Sequence, residues 1–264
     1  MISNRPTSML RDMATSRSEA DLVARIFGGL FAQRDEGASV LGPWVGLSSA
    51  ARFTNPPRID AHPMREASYA YGKKRELRLK WPGYAEISDA TGLHKGLLDT
   101  LGGSGFDVML PLEDGDSRLL VLIEAKRESE LGDVDYFGLS QVQRIYAHGL
   151  ALKAYLGVEV LIRYVSKNPE KLCSKLTKEL VKRRWHKDQN HQPLLDHTFE
   201  LLTEAEAAQA VRSDSRCWRS LAKAIHAGGL HDLYIHVCRE LEILPEGADA
   251  QPDADDALCA LRCS

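Results

Sequence analysis

Asp107, Glu124 and Lys126 are the residues of this chain whose types and spacing suit chemistry on a phosphate. Glu124 and Lys126 stand two residues apart, so on a strand both side chains leave the same face while Ala125 points to the other layer. Asp107 lies at the start of the preceding strand-like run. A hairpin across residues 113–116 brings it beside the end of the strand that carries Glu124. Two carboxylates and one amine then converge. Hard oxygen ligands of this kind hold Mg²⁺ while leaving positions for water and a phosphate oxygen. Such an ion polarises the phosphate and offsets the charge that builds on it during attack, and Lys126 would orient the nucleophile or stabilise that charge. A Glu-x-Lys tripeptide alone is an ordinary solvated charge pair, so the argument rests on the elements around it.

Residues 106–112 read as a strand, Glu113-Asp114-Gly115-Asp116 as a turn and 118–126 as a second strand. Leu119 to Ile123 is continuously apolar, which suits a central strand covered on both faces. Residues 134–156 place Phe137, Val142, Ile145, Tyr146, Leu150, Leu152 and Leu156 near one helical face, with Gly157 as a C-terminal stop. The apolar run 158–165 is the next strand. A strand–helix–strand passage of this length joins parallel strands, so the sheet is expected to be mixed.

Gly105-Phe106-Asp107, the hairpin and Glu124-Ala125-Lys126 together resemble the PD-(D/E)xK nuclease superfamily, which includes restriction endonucleases and many repair nucleases. The resemblance spans residues 101–165, with Phe106 in place of the proline that names the motif. It implies an α/β fold: a restriction-endonuclease-like mixed β-sheet core flanked by helices, here with a helical C-terminal part. By the same resemblance Asp107, Glu124 and the backbone carbonyl of Ala125 would ligate Mg²⁺ or Mn²⁺, and Lys126 would assist catalysis. Many members carry a glutamine on the following helix, for which Gln141 is preferred over Gln143. A carboxylate on the first helix is another frequent member; Glu19 is the nearest match and Glu76 its competitor. Glu19 also reads simply as an acid favoured by a helix N-terminus. The implied function is hydrolysis of DNA phosphodiesters, of a restriction or host-defence kind, with homodimers as a frequent form; an RNA-directed nuclease is a third reading, since metal-assisted phosphate chemistry does not itself select the sugar. The competing reading is a catalytically silent nuclease-like module that binds nucleic acid or protein.

Two basic runs suit a polyanionic partner: Lys73-Lys74-Arg75 with Arg78 and Lys80, and Lys171, Lys175, Lys178, Lys182, Arg183 and Arg184 on a helix expected from 168 to 184. Phosphate contacts supply affinity without sequence information. Taken alone, such a run is more often a solvated face. The formal net charge of -3 excludes a uniformly basic binder but leaves room for a local groove.

Elsewhere the pattern predicts a first helix from Ser16, with Ser16 or Ser18 as N-cap, Leu22, Val23, Ile26, Phe27 and Leu30 inward, and an end weakened by Gly28 and Gly29. Residues 32–65 read as irregular. A short strand near 198–202 and two helices over 204–242 complete one domain, 16–243, whose core is 101–165 and whose helical C-terminal part is 169–243. Residues 1–15 read as a flexible N-terminus and 244–264 as a disordered acidic tail.

Five cysteines without paired spacing argue against a disulfide framework or zinc knuckle. No apolar run approaches the roughly 20 residues of a membrane span, and a cytoplasmic protein is expected. Gly102-Gly103-Ser104-Gly105 precedes a strand and lacks a phosphate-loop lysine, so its expected role is close backbone approach beside Asp107. His186, His191 and His197 lack zinc-site spacing, and Trp44, Trp81, Trp185 and Trp218 read as packing aromatics.

Overall fold

A computed structural model of the chain describes residues 19–61, 89–91, 93, 98, 105–126, 139–180, 184–187, 193–199 and 215–243. In chain order its elements are α1 (Glu19–Ala32), α2 (Asp35–Val45), β1 (Arg52–Phe53), β2 (Arg58–Ala61), β3 (Phe106–Asp114), β4 (Ser117–Ala125), α3 (Gln141–Leu156), β5 (Glu159–Ser166), α4 (Pro169–Leu180), β6 (Arg184–Lys187), β7 (Pro193–Phe199), β8 (Ser215–Cys217), α5 (Trp218–Ala227) and α6 (His231–Leu241). Six strands form one mixed sheet in the order β1-β3-β4-β5-β8, with β2 also paired to β3. β3 and β4 are antiparallel, whereas β5 runs parallel to both β4 and β8. β6 and β7 form a separate antiparallel pair.

β4 shows why its sequence is apolar without interruption. Leu120 and Leu122 enter a core with α3 and α4, while Leu119, Val121, Ile123 and Ala125 enter a second core with α1, α2, α5 and α6. Each Leu, Val or Ile among them is worth roughly 2 kcal/mol when fully buried, and from Leu119 to Ala125 both faces of the strand are covered. Trp44 and Trp218 lie in the second core, as their reading as packing aromatics anticipates. Cys173, Cys217 and Cys238 are not disulfide-bonded, and among the described residues no helix is long and apolar enough to cross a membrane.

Several boundaries differ from the sequence reading. α3 begins at Gln141 and not at 134, because Ser140 is an extended N-cap that forms a reciprocal capping box with Gln143. Leu150, assigned to its inner face, is exposed. The hairpin strands run on through Glu113 and Asp114, and the turn is the pair Gly115-Asp116, with Gly115 at φ 60°. α1 passes straight through Gly28 and Gly29; a Cβ on Gly29 would lie 2.5 Å from Leu233 Cδ1, so that glycine serves close helix packing. Residues 32–65 are not uniformly irregular, since α2 occupies 35–45 despite Pro43 in its last turn. Its C-terminal carbonyls accept from two strand arginines: Arg216 Nε donates to Trp44 O and Arg163 Nε to Val45 O, the latter at 2.8 Å. A buried Arg163 is thereby matched to the negative end of a helix.

α4 is described over Pro169–Leu180, and Arg184, expected at the end of that helix, opens β6 instead. β7 covers 193–199 where a strand near 198–202 was expected. In the C-terminal part, β8 joins the sheet directly before α5. The proposed N-terminal segment 1–15, the tail 244–264, residues 73–80, Gly102 to Ser104 and Trp81 lie outside the described residues.

Candidate active site

The β3–β4 ladder ends at Val108 opposite Ile123, which makes Asp107 and Glu124 the next opposing register positions. At that point a side chain replaces the ladder: Asp107 Oδ2 accepts from the Ala125 backbone N–H at 2.6 Å. In extended backbone a residue's N–H and C=O face the same flank, so the Ala125 carbonyl faces the β3 side, towards Asp107. The β4–β5 ladder continues through Ala125 opposite Val165, and Lys126 N–H donates to Val165 O at 2.7 Å. The Lys126 carbonyl accepts from Trp218 Nε1 at 2.9 Å. Backbone on both sides of Ala125 is therefore fixed by the fold.

Glu124 is only 5% exposed. Burial is the chief cause that pushes its carboxyl up to about 7, with Lys126 opposing and Asp107 adding to the rise. Burial also raises Asp107, against the pull of the Ala125 N–H and Lys126. For Lys126 burial disfavours the charge, yet Glu124 and Glu19 outweigh it and hold the amine above its ordinary range. Lys126 Nζ lies 2.8 Å from Glu124 Oε1 and 3.0 Å from Glu19 Oε1. A cation between two carboxylates is the local answer to burying them.

Gln141 Nε2 donates to Glu124 Oε1 at 2.7 Å. Capping chemistry decides between the two glutamines: Gln143 is consumed by the N-cap, fully buried, while Gln141 at the first helical position is left to reach the strand. Glu19 opens α1 and ends beside Lys126, whereas its competitor Glu76 lies outside the described residues.

These groups border a pocket of about 400 Å³ lined by Asp60, Gly105, Phe106, Asp107, Glu124, Gln141, Arg144, Ile145 and His148. Asp60 and Arg144 were not singled out from sequence. Asp60 stands at the position opposite Asp107 that continues the β2–β3 register, with a left-handed φ of 51°. Its only sequence signal is that Asp tolerates that conformation better than most residues. Arg144 lies three residues after Gln141 on α3, a spacing that shares a face once the helix start is known.

Of the residues expected to bind nucleic acid, Lys73, Lys74, Arg75, Lys182 and Arg183 lie outside the described residues. Lys175 is half-buried on α4 and is not among the pocket-lining residues; Arg184 begins β6.

The groups that could face an ion here are the Asp107 and Glu124 carboxylates and the Ala125 carbonyl; among the described residues no three His, Cys, Asp or Glu side chains form a metal-holding group. Mg²⁺ suits so sparse a set, because it keeps several waters and is commonly held by one or two carboxylates plus substrate phosphate. No family model matches this chain, and neither the curated proteins nor the solved structures yield a significant match.

Proposed function

We propose that this chain is a metal-dependent nuclease of the PD-(D/E)xK kind, with a restriction-endonuclease-like core, that hydrolyses DNA phosphodiester bonds in a restriction or host-defence role. One observation carries the reading: Asp107 and Glu124 occupy opposing register positions on one pocket, with Gln141 and Lys126 both within hydrogen-bond reach of Glu124. Asp107, Glu124 and the Ala125 carbonyl would hold Mg²⁺ or Mn²⁺. When bound, the ion supplies Lewis-acid polarisation of a phosphodiester and neutralises charge that develops in hydrolysis.

The chain's own residues have separate tasks. Asp107 is aimed by the Ala125 N–H, which leaves its other oxygen for a ligand. Gln141 fixes the orientation of Glu124 and so sets the separation of the two carboxylates. Lys126 favours the ionised form of Glu124, the form a cation requires, while Glu19 holds the far side of the ammonium. Phe106 and Ile145 supply apolar wall, which lowers the local dielectric and strengthens each of these interactions.

The test is incubation of the purified chain with supercoiled, linear and single-stranded DNA, and with RNA, in Mg²⁺ or chelator, beside Asp107→Ala and Glu124→Ala. The expected result is metal-dependent cutting that both variants lose while their circular dichroism stays that of the wild type. Full activity in either variant, or cutting that survives chelator, sinks the reading. Nucleic-acid binding that persists in chelator without any cutting would favour the silent binding module.

A further inference from the structure

Lys126 stands one residue past the end of β4 at Ala125. The direction in which its side chain leaves the backbone follows from the two peptide planes that flank it, since each plane is rigid and only φ and ψ turn between them. The first plane is held by β5, where Lys126 N–H donates to Val165 O at 2.7 Å. The second is held by a side chain from a different part of the fold: Trp218 Nε1 donates to the Lys126 carbonyl at 2.9 Å.

Trp218 is the first residue of α5 and is fully buried. It reaches this position because β8, directly before it, runs parallel to β5, with Val165 opposite Arg216 and Ser166 opposite Cys217. The indole N–H closes a circuit of bonds that runs from Lys126 through β5 and β8 back to Lys126. Its ring meets Phe27 of α1, with 6.2 Å between centroids. α1 is the helix whose first residue, Glu19, holds the Lys126 amine at 3.0 Å. One side chain therefore touches both the backbone of Lys126 and the helix that supplies its carboxylate partner. Filling this core needs only apolar volume, whereas a buried indole N–H also requires an acceptor, and here that acceptor belongs to the site.

We propose that Trp218 is the positioning residue of Lys126, fixing its backbone so that the amine is aimed at Glu124 and Glu19. The effect on turnover rests on the nuclease reading, in which Lys126 assists the chemistry beside Glu124; the placement of the side chain does not. Trp44 supplies a matched control. Its ring also lies 6.2 Å from that of Phe27, and its Nε1 also donates a hydrogen bond, but to Ser220 Oγ at 3.0 Å and not to the site.

The experiment compares full-length wild type, Trp218→Phe and Trp44→Phe, with urea midpoints to establish that each is folded. Two readouts are taken: kcat and KM for Mg²⁺-dependent DNA cleavage, and the rate at which an acylating reagent modifies Lys126, followed by peptide mass spectrometry. In Trp218→Phe kcat is expected to fall by about tenfold or more at unchanged KM, since an ångström of misplacement can cost about 100-fold. Acylation of Lys126 should rise several-fold, because a side chain that is 14% exposed between two carboxylates is released. Trp44→Phe should match the wild type in both. A folded Trp218→Phe that matches Trp44→Phe in either readout overturns the inference, as does a loss confined to KM. Should Trp218→Phe fail to fold, Trp218→3-benzothienylalanine decides by the same criteria, because sulfur replaces the N–H in a ring of the same shape and only the donor is lost. Cleavage by the wild type that Glu124→Ala abolishes and Trp218→Phe retains in full would remove this inference and leave the nuclease reading standing. A wild type that does not cut DNA removes the nuclease reading, and the acylation rates then decide the placement of Lys126 by themselves.

Discussion

Asp60 and Asp107 stand at opposing positions of β2 and β3, and Asp60 holds a φ of 51° there. Like charges directly across strands destabilise, and a left-handed non-glycine residue adds its own cost. The Asp60 charge is also one of the causes that raise Asp107. Asp60→Asn removes the charge and keeps a residue that tolerates the conformation. We predict that it stabilises the metal-free protein by about 0.5 kcal/mol at low salt. Thermal melts at 0.01 and 1 M NaCl check this, since screening shortens from about 30 to about 3 Å and should erase the gain. An equal loss of stability at both salts would instead give the carboxylate a structural role.

Metal binding should be coupled to a proton on Glu124. With its carboxyl at about 7 in the metal-free protein, an ion must displace that proton below neutrality. Apparent Mn²⁺ affinity is expected to rise up to about tenfold per pH unit below that value and to level off above it. Calorimetry in two buffers of different ionisation enthalpy should count close to one proton released at pH 6 and close to none at pH 8. The stability sign follows from the same raised value. Glu124 contributes fully below its ordinary carboxylate range, and that contribution is lost as pH rises through about 7. Urea midpoints in chelator should therefore fall between pH 5 and pH 8, and added metal should recover the loss.

Gln141→Ala takes away the donor that orients Glu124. Cleavage is predicted to drop by roughly 10- to 100-fold, as for other groups that orient a metal ligand. Stability should fall by only about 1 kcal/mol, the usual net value of one hydrogen bond. Activity assays paired with urea denaturation separate the two; unchanged cleavage in a folded variant would show that Gln141 does not position the carboxylate.

The α1–α2 contact that supports Glu19 can be tested through its glycines. A Cβ on Gly37 would lie 2.0 Å from Leu30 O, a backbone atom that cannot step aside, whereas the nearest atom to a Cβ on Gly28 is Ile59 Cδ1 at 3.9 Å. Gly37→Ala should lower stability by about 2 kcal/mol or more. Gly28→Ala should raise it by up to about 1 kcal/mol, through helix propensity and a less flexible unfolded chain. Equal effects in denaturant titrations would contradict this packing.

Residue type and strict alternation made the central part of this protein legible in its sequence. An uninterrupted apolar run flanked by a Gly-Asp turn has few arrangements other than a central hairpin strand. A two-residue spacing puts Glu124 and Lys126 on one side of it wherever that strand lies. Ser140 and Gln143 likewise held the start of α3, although hydrophobic periodicity alone carried the expected helix past it. What the sequence left undecided depended on neighbours distant along the chain. α2 was hidden because Gly37 and Gly42 look like helix breakers until Leu30 and Ser48 are seen pressed against them. The engagement of Lys126 by Glu19, 107 residues away, and the alignment of Asp60 with Asp107 are products of strand order and helix packing. No local pattern encodes either. Chemistry-bearing residues were thus determined by the sequence, whereas their charge balance, and which cation borders the pocket, were decided by tertiary structure, because Coulomb energies and burial depend on distances in space that spacing along the chain does not contain.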